Sequence, residues 1–301
     1  MDICQKKQDH LEPGDAAELG DTWVWKAIDP VSRLRVVSHI SHERSEAEAT
    51  TFIAAFKKRT DGQSPLFTSD KLPAYTAAIV ANYSVSEPPP TKRGPGRPSK
   101  KPRLVIDFGL LYGQVIKRRE NGHLVEVERH VVFGTLEKIE AILAKDGCGT
   151  KINTSYVERD NLTSRQQNGC LVRKTLSHSK KVNFLRCHVA LDDLVFNFVR
   201  PHSSLRVALT EPALHNRKWE KRTPAMVAGL ADHVWTFEEL LMFRVPPKTN
   251  SEQSSRLRDT ASTFWLFENP LRYTQIWAKQ VCGSLSSPYL AVGRQVPAET
   301  N

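Results

Sequence analysis

The chain has 301 residues, 40% of them hydrophobic, which is enough to bury one core of ordinary domain size with room for a smaller appended piece. A formal net charge of +10 and a pI near 9.4 favour a polyanionic partner. The sequence holds no apolar run long enough to span a bilayer and does not start like a signal peptide, so we expect a cytoplasmic protein without a membrane partner.

The first predicted element is a β-hairpin. Residues 21–28 alternate large apolar side chains with others, and residues 34–40 are rich in Val. Asp29 and Pro30 break the pattern between them and predict the connecting turn.

A helix, a strand and a second helix are predicted next. Ser45 and Glu48 have capping-box spacing, and the apolar residues after them recur at helical intervals as far as Arg59. Residues 65–70 have the composition of a short buried strand that ends in Asp70. A helix over residues 75–83 follows, so the order is ββαβα.

The composition changes between residues 88 and 103, where Pro, Gly, Lys and Arg dominate and acidic residues are absent. Such a segment cannot bury apolar area, and we expect a disordered or extended basic linker. Residues 110–116 and 124–133 then predict two strands joined at Asn121-Gly122, the sequence of a type I′ turn. We interpret this β-rich region as an insertion.

The remainder is predicted to be mainly helical. Helices are expected over residues 135–145, 155–167 and 180–198, and Pro201 ends the last one. The predicted fold class is therefore α/β, with a mixed sheet flanked by helices.

Two acidic residues are candidates for metal-dependent chemistry on phosphodiesters. That chemistry uses carboxylates from distant chain segments, because these are the oxygen ligands that bind divalent cations. Asp70 ends a short apolar strand, and Glu158 lies early on a predicted helix. Taken alone, either residue is more often a solvated surface group.

Six sequence segments make a catalytic role for these two residues the favoured interpretation. They are GDTWVWKAIDP, FTSDKLPAY, NTSYVERDNLTSR, LVRKTLSHSKKV, FNFVRPHSSLR and KRTPAMVAGLADHVWTFEEL. In this order they closely resemble transposases of the insertion-sequence-one type, over about residues 2–244. Six ordered phrases are far more specific than a single short motif.

The resemblance implies an RNase H-like enzyme with an Asp-Asp-Glu (DDE) triad that binds two Mg²⁺ ions and acts on the ends of a mobile element. Asp70 matches the second Asp of the triad and Glu158 matches the Glu. Asp29 resembles a recurrent family residue, and we retain it only as a possible support for the metal ligands; its position before Pro30 equally suits a turn.

We divide the chain accordingly. Residues 1–86 would be the first part of the catalytic domain, 87–134 the basic linker and insertion, and 135–244 the helical remainder of the catalytic domain. Residues 245–301 form an unassigned tail, whose aromatic residues either pack on the main domain or come from read-through of flanking DNA.

The first triad Asp is expected to be missing. Alignment of the stretch Cys4–Asp9 with the family places this Asp just before Met1, and Asp2 lies too far along the strand to replace it. We therefore expect an N-terminally truncated transposase with very low activity. The alternatives are a non-catalytic DNA-binding transposase remnant and, less favoured, an architectural protein of the AT-hook kind.

Two basic regions are candidates for binding double-stranded DNA, both the terminal repeats of the element and its target. The linker resembles an AT-hook but equally suits simple phosphate contact, and the second region surrounds Glu158, where the simpler interpretation is a solvated helical face. The resemblance also implies a homo-oligomer. The candidate residues are Lys92, Arg93, Arg97, Lys100, Lys101, Arg159, Arg165, Arg173 and Lys174.

Overall fold

The computed structural model describes residues 22–87, 103–107, 109–172, 176–177, 179, 181–213, 217–244, 289–292 and 296–298. The predicted hairpin is confirmed as β1 (Thr22–Ile28) and β2 (Arg35–Ser41), which pair antiparallel. Alternation along β1 directs Trp25 and Ala27 to one face of the sheet and Val24 and Ile28 to the other.

Two helices cover the Trp25 face. They are α1 (Glu46–Arg59) and α2 (Pro73–Tyr83), and between them runs β3 (Leu66–Asp70). The Ser45 side chain caps α1 by accepting a hydrogen bond from the Glu48 backbone N–H. Trp25, Phe52, Phe67 and Tyr75 are fully buried in this core, which fixes β3 against both helices.

The basic linker lies outside the described residues, but the segments beside it pair with each other. These are β4 (Ser84–Glu87) and β5 (Arg103–Ile106), which form a small antiparallel sheet. The next hairpin consists of β6 (Leu111–Glu120) and β7 (His123–Phe133). Asn121 and Gly122 both have positive φ, 49° and 80°, as the predicted type I′ turn requires.

The position of strand β6 contradicts the prediction that this region is an insertion. We assigned it to an insertion, but it pairs parallel with β3 over its first half and is a strand of the main sheet. Its first residues are buried and its last four are exposed, so the hairpin is anchored in the sheet and its tip projects beyond it.

Three helices cover the other face of the sheet. They are α3 (Leu136–Lys145), α4 (Ser155–Gln167) and α5 (Val182–Leu194), and a π-helical turn, Val195–Val199, continues α5. Ile139 and Leu143 of α3 pack on Leu66 and Val115, while α5 packs on β1 and β2. The predicted helices 135–145 and 155–167 are confirmed, and the one over 180–198 begins as an α-helix and ends as a π-helix.

The remaining elements are shorter. A second small antiparallel sheet consists of β8 (Val207–Ala213) and β9 (Arg217–Glu220), followed by α6 (Pro224–Val227) and α7 (Phe237–Met242). Two strands come from the unassigned tail, β10 (Tyr289–Val292) and β11 (Val296–Ala298). Within the described part of the chain, no helix combines the length and apolarity needed to cross a bilayer.

The main sheet has seven strands and is mixed. Strand β1 pairs with β2 on one side and with β10 and β11 on the other, all antiparallel. Strand β10 also pairs parallel with β3, and the order continues through β6 to β7. A mixed α/β architecture with helices on both faces is thus confirmed, and part of the tail belongs to its sheet.

Candidate active site at the ends of strands β3 and β6

Asp70 is the last residue of β3, and the alternation of the strand determines the face on which it lies. Phe67 packs among α1 and α2, and the Ser69 hydroxyl lies on the same side, 2.7 Å from the Tyr112 hydroxyl. Leu66 packs on the opposite side, against the α3 face. Because side chains alternate along a strand, the half-buried Asp70 belongs to the face of Leu66.

Glu158 lies in the first turn of α4, on that same face. One of its carboxylate oxygens accepts hydrogen bonds from Lys117 Nζ, at 2.5 Å, and from the Thr154 hydroxyl, at 2.7 Å. Lys117 belongs to β6, two residues after Val115, so both face α4. The contact brings the start of α4 to the second half of β6.

The register of the parallel strands links the two carboxylates. Asp70 is paired with Val115, and Lys117 is the next residue of β6 on the same face. Asp70 and Glu158 therefore lie on one face of the sheet, Asp70 at the end of β3 and Glu158 beside Lys117 in the second half of β6. The family resemblance assigned these carboxylates, 88 positions apart in the chain, to one site, and the lysine was not predicted.

The environment of Glu158 favours its charged form. Burial raises the pKa of this carboxyl group, but the hydrogen bonds from Lys117 and Thr154 and the charges of Lys117 and Arg119 outweigh it and leave the pKa below its ordinary value. Glu158 is thus an anion at neutral pH. Since its side chain is 45% exposed, a solvated cation can reach it.

The residues present fit a divalent cation in part. Two carboxylates on one face are the hard oxygen ligands that Mg²⁺ takes, and Lys117 marks a position where positive charge is stabilised. Among the described residues, however, no group of three His, Cys, Asp or Glu side chains could hold a metal ion. Lys117 and a cation would also compete for the same Glu158 oxygen.

A buried ionic cluster holds α4 against the hairpin. Arg35 Nε donates to Asp160 at 2.7 Å, and Lys26 lies 3.6 Å from the same carboxylate. Lys26 also donates to the Ser164 hydroxyl, one turn further along α4. The side chains of Lys26, Arg35 and Asp160 are at most 4% exposed, so the position of α4 is fixed two residues from Glu158.

The cluster extends to α5. Arg35 Nη1 donates to Asp192 at 2.8 Å, and Lys26 lies 3.7 Å from Asp193. Two buried cations are thus shared among three carboxylates from two helices, which satisfies charges that would be costly to bury alone. The cluster was not predicted from the sequence; its only signal there is a charged residue at an inward position of each strand, Lys26 in β1 and Arg35 in β2.

Asp29 forms the turn that its sequence context suggested. Its carboxylate accepts hydrogen bonds from the backbone N–H groups of Val31 and Ser32 and from the Ser32 hydroxyl. These contacts close the β1–β2 turn. They are contacts of a turn residue.

The predicted DNA-binding residues divide into two groups. Arg159 is exposed and Arg165 is half-buried, both on α4. Arg33 stacks on Tyr156 of the same helix, 4.1 Å from the ring centroid, and adds a third cation to this region. Burial lowers the pKa of His202, and the nearby charges of Arg33 and Arg159 lower it further.

The other candidates, Lys92, Arg93, Arg97, Lys100, Lys101, Arg173 and Lys174, lie outside the described residues.

Comparison of the chain with protein-family models, with curated proteins and with solved structures finds no match.

Proposed function

We propose that the chain is a DDE transposase that cleaves and transfers DNA strands at the ends of a mobile element, with low activity. The observation that carries this proposal is the position of the two carboxylates on one face of the sheet, Asp70 at the end of β3 and Glu158 bonded to Lys117 of β6. The resemblance of the surrounding phrases to transposases of the insertion-sequence-one type supports the same reaction.

The strand order supports an RNase H-like sheet. A hairpin, β1 and β2, is followed by two parallel strands, β3 and β6, with α2 between them. Strand β10 lies between the hairpin and β3, antiparallel to β1 and parallel to β3. In such a sheet the carboxylates meet at the carboxyl ends of the central strands, which is where Asp70 stands.

Divalent cations such as Mg²⁺, two of them in the intact family, would stabilise the entering and leaving oxygens of the phosphodiester. Asp70 and Glu158 would hold the metal, and Arg159 and Arg165 would contact phosphates beside it. Low activity is proposed because Lys117 occupies one Glu158 oxygen and because β10, the neighbour of β3, contains no acidic residue. Two carboxylates bind a pair of mutually repelling cations weakly.

The proposed partners are double-stranded DNA, as terminal repeats and target, and further copies of the chain. The net charge of +10 supports a polyanionic partner, and the cations on α4 lie beside the candidate carboxylates. A cytoplasmic location is part of the same proposal.

The test is a strand-transfer assay on the full chain. Labelled DNA from both flanks of the gene, which carries the element ends, is incubated with a plasmid and either Mg²⁺ or Mn²⁺. We expect weak joining that needs the metal and is abolished in Asp70→Asn and in Glu158→Gln. Asp232→Asn, an exposed carboxylate on a different part of the fold, is the matched control and should join DNA as the wild type does. Joining that survives both active-site substitutions would refute the site.

A second candidate function is DNA binding without catalysis. The Lys117–Glu158 ion pair favours it, because an internal cation already neutralises the carboxylate that a metal would need. If this second function is correct, the protein binds element-end DNA with the same affinity in the presence of Mg²⁺ or of a chelator. It then joins no DNA strands.

A further inference from the structure

The tip of the β6–β7 hairpin extends beyond the strand that anchors it. Pairing between β3 and β6 ends at Asp70 and Val115, and β6 continues for five more residues to Glu120. At roughly 3.4 Å per residue, this extension is about 17 Å long. Residues 117–126 are all exposed, so the tip is a two-stranded ribbon with solvent on both faces.

One face of this ribbon carries only positive charge. Lys117 and Arg119 of β6 lie on it together with their partners in β7, Val127 and Leu124. Arg129, which is paired with Val115, lies on the same face. No Asp or Glu of residues 117–129 shares it, since strand alternation puts their carboxylates on the other side.

The opposite face is mainly acidic. Glu126 is paired with Arg118, and its carboxylate lies 3.3 Å from the arginine Nη1. Glu120 and Glu128 lie on this face as well, and His123 is paired with Glu120. The register of the hairpin therefore separates three cations on one face from three carboxylates and a single arginine on the other.

The basic face is the one that borders the candidate site. Lys117 donates to Glu158, and the charge of Arg119 is close enough to lower the pKa of that carboxyl group. Arg129 Nε donates to the carbonyl oxygen of Ile152 at 2.9 Å, in the loop before α4. These contacts fix the basic face toward α4 and leave Arg119 and Arg129 exposed beside the site.

We propose that residues 117–129 form an arm that binds the phosphate backbone of duplex DNA next to the candidate site, through Arg119 and Arg129. This inference rests on the proposed function, which supplies duplex DNA as the partner. Guanidinium groups donate well to phosphate oxygens, and the contacts do not depend on base sequence. The acidic face repels phosphates, so the duplex binds on the α4 side of the arm.

Two neighbouring arginines provide a matched test. Arg119→Ser and Arg118→Ser remove the same charge one position apart, but from opposite faces of the ribbon. Fluorescence anisotropy of a labelled element-end duplex over a salt series gives Kd and its salt slope for the full-length chain. Arg119→Ser should weaken Kd roughly fivefold at low salt and lower the salt slope of log Kd by about 0.9, as expected for one lost phosphate contact. Arg118→Ser should keep the wild-type values.

The outcomes separate the arm from the proposed function. If the wild type binds the duplex and the two variants have equal Kd values, the arm is refuted and the proposed function stands. If the wild type does not bind duplex DNA, the proposed function fails and the arm fails with it.

Photocross-linking tests the orientation of the arm without removing a charge from its basic face. A benzophenone amino acid replaces either Leu124, on the basic face, or Glu126, on the acidic face. The duplex should cross-link from position 124 and much less from position 126. Equal cross-linking from both positions, or stronger cross-linking from 126, would overturn the proposal.

Discussion

At the scale of single residues, the contact between Lys117 and Glu158 decides the chemistry of the candidate site. The ammonium group of Lys117 neutralises the Glu158 carboxylate and holds it beside the second half of β6, at 2.5 Å. A divalent cation must either displace this ammonium group or bind beside it, against its charge. If the site binds a metal as proposed, Lys117 would therefore hold Glu158 in place and weaken the affinity for that metal.

The first prediction is that Lys117→Met raises the affinity for Mn²⁺. Removing a unit positive charge a few ångströms from the metal position is worth on the order of 1 kcal/mol at a solvent-exposed site, or roughly a fivefold change in Kd. Titration calorimetry on the wild type and the variant measures it. Lys138→Met on α3 is the matched control and should leave Kd unchanged, whereas an unchanged Kd in Lys117→Met would show that the lysine is not near the metal.

The second prediction concerns pH. The folded pKa of Glu158 lies below its ordinary value of 4.5, so the charged carboxylate stabilises the fold above that pH, and the contribution disappears as pH falls through the lower, folded value. The free energy of unfolding of Glu158→Gln should therefore be smaller than that of the wild type at pH 7, and the difference should shrink below pH 4.5. Denaturant titrations across this range measure it; a difference that grows toward acid pH would contradict the assignment.

At the scale of elements, the ionic cluster at Asp160 couples α4 to the hairpin and so positions Glu158. Asp160→Asn keeps the size of the side chain but leaves Arg35 and Lys26 with less negative charge in a buried place. Breaking such a pair costs about 3 kcal/mol, and urea unfolding should show a decrease of that size. Asp232→Asn, at a side chain that is 92% exposed, should change nothing measurable. Equal stability of the two variants would mean that the cluster does not hold α4.

Helices, strands and turns were predictable where neighbouring residues carry enough signal to identify them. The β1–β2 hairpin, α1, α4 and the turn at Asn121-Gly122 all carry period, cap or turn signals in adjacent residues. Two kinds of feature were not predictable. Parallel pairing of β6 with β3 depends on residues over forty positions apart, and β10 has no signal beyond a short apolar run.

The same reasoning applies to the candidate site. The family phrases identified Asp70 and Glu158, and strand alternation together with parallel register explains why they share a face. Lys117 could not be singled out, because the end of β6 contains several basic residues and only the packing of α4 selects one of them.

At the scale of the whole molecule, the net charge of +10 and the basic linker predict binding to DNA that depends on salt. Replacing Lys92, Arg93, Arg97, Lys100 and Lys101 with serine should lower the salt slope of log Kd by about 0.9 for each phosphate that the protein no longer neutralises. Fluorescence anisotropy at a series of salt concentrations measures the slope. Serine at the exposed positions Lys138 and Lys145 is the control for net charge. The salt slope of log Kd, divided by the number of charges removed, is then compared between the linker variant and the control variant. An equal change in both would show that the linker has no specific role in DNA binding.

The central claim is that Asp70 and Glu158 belong to one cation site, and Mn²⁺ binding to the wild type, Asp70→Asn, Glu158→Gln and the double variant tests it most directly. Each single substitution should weaken Mn²⁺ binding at least about tenfold. The double variant should bind little worse than either single one, because ligands of one ion are energetically coupled. Full additivity of the two effects, or affinity equal to that of the wild type in either single variant, would contradict the claim.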